Sequence, residues 1–192
     1  MSEEDLKSKE KPSSATPVEN MINWIQQIRN YEAVSWDRMP EIDLYMDQVI
    51  TYLDRQLSLF QRNDASKLLT SSMVNNYVKD KLLPRPEHKR YAREHLAALL
   101  VICLLKQALS IPDIATLSHY LQTDCPIDQL YGDFCQRQKE ALNDVCTRVE
   151  LAAGEGKTAL MQLALSFSLE GTARRIAAER ILSELAAAKQ EQ

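Results

Sequence analysis

Glycine is scarce in this chain. Only 4 of 192 residues are Gly, against many Ala, Leu, Gln and Glu, a balance that favours helices over sheets. Long hydrophobic runs are missing too. The longest, LAALLVICLL from Leu96 to Leu105, has ten residues. A membrane span needs roughly 20, so this run is expected to be a buried core helix and no membrane partner is expected. Cys103, Cys125, Cys135 and Cys146 contain no CxxC spacing, which removes the usual zinc and thiol-redox frameworks. Cys135 and Cys146 are eleven apart and share a helical face. The first residues, MSEEDLKSKEKPSSATP, carry no apolar stretch. Residues 1–16 therefore read as a disordered tail, the cysteines as reduced thiols and the protein as cytoplasmic.

Catalytic patterns are equally wanting. GEGKT at residues 154–158 looks like the end of a phosphate-binding loop, but the position of its first glycine is Leu151. No strand is expected before it, so a linker between two helices is the better reading. His88, His95 and His119 lack metal-ligand spacing, and no serine or cysteine stands in a recognisable nucleophile context. No enzymatic activity, metal or cofactor is expected.

What is present is an uneven charge. The net charge is −4, yet residues 79–93 hold six cations (Lys79, Lys81, Arg85, Lys89, Arg90, Arg93) against Asp80 and Glu87. A basic segment in an otherwise acidic protein is a local electrostatic footprint.

Helix signals recur along the chain. Thr16, Pro17 and Glu19 form a cap, a first-turn proline and a capping-box acid, and predict a helix to about Tyr31. Ile42, Met46, Val49, Leu53, Leu57 and Phe60 predict a second, from about Glu41 to Phe60. Thr70 caps a third over 70–81, which Pro84 is expected to terminate. Residues 82–91 are too proline-broken for a helix and suit a small hairpin or an extended loop. A fourth helix runs from Arg93 to Leu109, and Ser110, Pro112 and Asp113 start a fifth that ends near Leu121. After TDCPID come a helix of about six turns from Ile127, a break at AGEGKT, and a last helix over Ala159 to Lys189. The domains expected are residues 17–121, with a core at 69–121, and a C-terminal helical region at 126–190.

The third predicted helix has two faces. Met73, Val74, Tyr77 and Val78 form an apolar one. Ser72, Asn75, Asn76 and Lys79, at i, i+3, i+4 and i+7, form a polar one. Asn can bond adenine in bidentate fashion, and Ser and Lys reach bases or phosphates. Two adjacent asparagines weaken an exposed helix without packing in return, which points to a contact role.

The stretch SSMVNNYVKDKLLPRPEHKRYAREHLAAL, followed by LLKQALSIPDIATL, resembles the MerR-type winged helix. The matches are Tyr77, Leu82-Leu83-Pro84, Lys89-Arg90-Tyr91, Glu94-His95-Leu96 and Leu109-Ser110, within residues 69–121. With PEIDLYMDQVITYLD, most of the chain also resembles an uncharacterised bacterial family called domain of unknown function 1836. The first resemblance implies an all-α winged helix-turn-helix with a small wing hairpin. It implies a transcriptional regulator whose recognition helix sets Ser72, Asn75, Asn76 and Lys79 against base edges of double-stranded DNA. Arg85, Lys89, Arg90 and Arg93 would hold phosphates, and Tyr77 would pack its ring inward and turn its hydroxyl to a phosphate. The same fold can instead serve as a protein-binding module. A short recognition helix reads few base pairs, so a homodimer through residues 126–190 is expected, on Leu160, Leu163, Phe167, Ala178, Ile181 and Leu185. The sequence specifies no small-molecule effector.

Overall fold

The computed structural model describes residues 16–61, 67–122 and 125–190; the expected tail, Thr16 apart, lies outside them. The described elements run α1 (Pro17–Arg29), β1 (Leu44–Tyr45), α2 (Met46–Gln56), α3 (Ser71–Lys79), β2 (Arg90–Tyr91), α4 (Arg93–Leu105), α5 (Ile111–Gln122), α6 (Ile127–Glu155) and α7 (Lys157–Gln190). The chain is mostly helical, as its composition requires. None of the described helices is long and apolar enough to cross a membrane.

Three helix starts form as their cap residues predict. Thr16 Oγ1 accepts from the Glu19 N–H at 3.2 Å, and the Glu19 carboxylate accepts from the Thr16 N–H at 2.6 Å. That backbone bond holds the Glu19 carboxyl below its ordinary pKa. Thr70 Oγ1 accepts from the Met73 N–H at 3.3 Å. Ser110 Oγ accepts from the Asp113 N–H at 3.3 Å and donates to its carboxylate at 2.6 Å.

Several boundaries differ from expectation, each for a physical reason. Residues 41–60 are not one helix. Leu44 and Tyr45 leave the helical path to pair antiparallel with Tyr91 and Arg90, so α2 begins only at Met46. A separate 3-10 turn at Ser58–Phe60 follows α2. Nor does Pro84 end α3. The helix stops at Lys79 because Lys81 turns into the left-handed region at φ 59°, and the Leu82 and Leu83 N–H groups both donate to the Tyr77 carbonyl. The α4 helix ends at Leu105, four residues short of Leu109, because the Gln107 and Ala108 N–H groups turn to the tighter bonds on the Leu104 and Leu105 carbonyls. In the C-terminal part, α6 is 29 residues long and passes through Gly154. The break falls at Gly156 alone, whose φ of 105° strains any residue with a Cβ.

Two apolar clusters organise the fold. The first joins α2, α3, α4, α5 and the sheet around the fully buried Leu53, Leu69, Val74, Leu96, Leu99 and Ile114. Burying one such side chain contributes about 1.5–3 kcal/mol. The second joins Ile25 and Ile28 of α1 to Cys146 and Val149 of α6, with Leu160, Leu163 and Phe167 of α7 against them. The α1 helix therefore packs with the C-terminal helices, although the sequence grouped it with residues 17–121. The Arg29–Glu150 ion pair at 2.5 Å makes the same connection.

The second cluster also draws on the expected dimer stripe. Leu160, Leu163 and Phe167 are half-buried against α1 and α6. Arg148 of α6 lies 4.5 Å from the Phe167 ring centroid and grips Glu170 of α7 through both guanidinium nitrogens, at 2.8 and 2.5 Å. The side chains left outside on α7 include Met161, Leu165, Leu169, Ile176 and Ile181, each more than half exposed.

Candidate nucleic-acid interface

The α3 helix is fixed at both ends. At its start the Leu68 carbonyl accepts from the Lys106 ammonium and, at 3.8 Å, from the Cys103 thiol, both carried by the region of α4. At its end sit the two bonds to the Tyr77 carbonyl. Between them Val74 and Tyr77 are buried, while Ser72, Asn75, Asn76 and Lys79 are all exposed on the opposite face. Asn75 and Asn76 thus offer amide groups to solvent with their backbone already committed to the helix.

The basic segment that follows is a tight turn. His88 and Lys89 take φ values of 47° and 61°, and the Arg90 N–H donates to the Glu87 carbonyl at 2.7 Å. Two successive positive φ values at the tip of a hairpin are the pattern of a type I′ turn. Neither residue is glycine, so the turn is strained. The hairpin proper is a single bridge between Glu87 and Arg90. The main partner of β2 is β1, far upstream, rather than a strand inside residues 82–91.

The cations divide into two groups. Arg85 and Lys89 are exposed and form no ion pair among the described residues. Arg90 is exposed as well, and donates to the Tyr45 hydroxyl at 3.1 Å with its guanidinium 5.3 Å from the Tyr45 ring centroid. Arg93 is occupied differently. It reaches the Met39 carbonyl at 3.5 Å and the Glu41 carboxylate at 3.8 Å, and lies 5.7 Å from the Trp36 ring centroid. Tyr77 packs its ring inward as expected, and it is only 5% exposed. Burial pushes its hydroxyl pKa up.

Two residues beside the basic turn escaped the sequence reading. Tyr45 and Ile42 are 48% and 74% exposed, at the sheet and just before it. Ile42 stood in the apolar stripe of the helix predicted from about Glu41 to Phe60, and Tyr45 fell within the same span. The available signal was an aromatic residue one position before Met46, next to a segment opened by Pro40.

No metal-binding or thiol site forms among the described residues. Among the described residues no group of three or more His, Cys, Asp or Glu could hold a metal ion. The four cysteines are free. Burial pushes the Cys103 thiol up to about 11, so it stays protonated near neutral pH. His95 accepts from the Ala92 N–H through Nδ1 at 3.1 Å and stacks edge-on to Tyr91, so its work is to cap α4.

No curated protein and no solved structure matches the chain. A family pattern does match, over residues 34–134. Those limits follow the packing: the first apolar cluster runs from Val34 to Cys135, and α1, α7 and most of α6 fall outside it. Over more than half of its length, then, this chain belongs to the family described as Domain of unknown function (DUF1836).

Proposed function

We propose that this chain is a winged-helix DNA-binding protein that regulates transcription. In this reading α3 enters the major groove. Ser72, Asn75, Asn76 and Lys79 meet base edges there, while Arg85, Lys89 and Arg90 hold phosphates from the wing. One observation carries the reading: a helix face of uncommitted polar side chains is followed at once by four exposed cations, Lys81, Arg85, Lys89 and Arg90, in a protein of net negative charge. Arg93 and Tyr77 support the interface from within, through Trp36, Met39 and the core.

A specific regulator of this kind reads a two-fold site as a dimer. The dimer surface proposed is the outer face of α7, where Met161, Leu165, Leu169 and Ile176 share one side of the helix. Light scattering that returns only the 21.9 kDa monomer at tens of micromolar contradicts the dimer.

The readout is tested by gel shift against DNA from around the protein's own gene. Asn75→Ala and Asn76→Ala should each lose sequence preference, about 1–3 kcal/mol per base contact, with the fold unchanged. Variants that discriminate among duplexes as the parent does would sink base readout by α3.

A second reading has its own support. The exposed Ile42 and Tyr45 beside the wing suit a protein partner better than a phosphate backbone. A protein-binding module would show no affinity for duplex DNA at low salt.

A further inference from the structure

We propose that the cleft between α4, α5 and α6 is a binding site for an uncharged, lipophilic small molecule with a hydrogen-bonding head group. The cavity measures about 610 Å³. That falls within the roughly 300–1,000 Å³ range of small-molecule sites. Its walls come from three different helices: Ala98, Val101 and Leu105 from α4, Leu117 from α5, and Leu130 and Phe134 from α6. The small side chain of Ala98 leaves room where a larger residue would close the space. Concave walls on several sides suit a compact molecule rather than an extended chain.

The lining is graded along α6, and the gradient describes the ligand. Leu130 and Phe134 give way within a turn to Arg137 and Gln138, with Asp133 beside them. Asp133 and Arg137 are four residues apart and form no ion pair among the described residues. Each keeps its hydrogen-bonding capacity, one as acceptor and the other as donor. A charged ligand would be drawn to one and repelled by the other. A neutral head group that both donates and accepts, such as an amide or an alcohol, can use both groups, and an aryl amine N–H can donate to Asp133. The apolar body then covers side chains that water would otherwise meet.

Leu82 also lines this cavity, and its N–H is one of the two that close the end of α3 on the Tyr77 carbonyl. An occupant therefore touches the residue that caps the proposed recognition helix. The binding site itself stands whether or not the chain binds DNA.

The test uses N-phenyl-1-naphthylamine, an uncharged aryl amine whose fluorescence rises in apolar surroundings, titrated against the full chain. The site requires saturable binding of one probe per chain. Ala98→Phe, which fills the cleft from α4, and Ser118→Phe, which fills it from α5, should each weaken binding by about tenfold or more at an unchanged melting temperature. Should one variant fail to fold, the other decides. The sulfonated analogue 1-anilinonaphthalene-8-sulfonate should bind less tightly than the neutral probe. Absence of saturable binding overturns the proposal, as does parent-like affinity in the folded variants. Tighter binding of the sulfonate overturns the assignment of an uncharged ligand.

Discussion

Arg90 and Tyr45 face each other across the two-stranded sheet, in register, with the guanidinium both donating to the hydroxyl at 3.1 Å and lying 5.3 Å from the ring centroid. The sheet has only two residues per strand. A ladder that short needs side-chain contacts across it. Tyr45→Ala should therefore destabilise the protein by about 1 kcal/mol, the sum of an exposed cation–π contact and a modest hydrogen bond. Tyr45→Phe, which keeps the ring, should cost about half of that. Urea unfolding of the three proteins checks the order.

The basic turn at His88 and Lys89 should become more stable when its strain is relieved. Lys89 sits at φ 61° and, unlike glycine, has a Cβ that crowds the backbone there. Lys89→Gly should raise stability by about 0.5–1 kcal/mol, while Lys89→Ala, equally uncharged but still strained, should not. Thermal melts of the pair separate backbone strain from loss of charge.

A pH dependence follows from the α6–α7 clasp. Hydrogen bonding to Arg148 holds the Glu170 carboxyl below its ordinary value of 4.5. Because the folded pKa is the lower one, the contact stabilises the protein above the unfolded pKa and is lost as pH falls through the folded one. Glu170→Gln should melt below the parent at pH 7, and the gap should close as the pH drops below about 4.5. A gap that persists in acid would show that shape rather than charge matters there.

How much of this was legible in the sequence depends on the range of the interactions. Thr16, Thr70 and Ser110 marked three helix starts because a cap acts within three residues of itself. The exposed polar face of α3 was legible for the same reason: helical periodicity fixes faces locally. The strand at Leu44–Tyr45 was not legible, since two residues carry no period and their partners lie some forty-five positions downstream. Pro84 drew attention from the true end of α3, which a left-handed lysine sets. The placement of α1 depended on which of several apolar faces Ile25 and Ile28 would meet, and only tertiary packing chose α6 and α7. Arg93 is one of the six cations of the basic segment in the sequence, and in the fold Met39, Glu41 and Trp36 engage it.

The salt dependence of binding to random duplex DNA is the measurement on which the DNA-binding proposal stands or falls. Each phosphate neutralised by a cation releases counterions, so the slope of log affinity against log salt counts the contacts. The parent should lose affinity steeply between low and physiological salt. Replacing Arg85, Lys89 and Arg90 together should weaken binding to all duplexes alike and flatten the slope by about one unit per contact, roughly three in all. A parent that does not bind at low salt, or a triple variant whose slope equals the parent's, would contradict it.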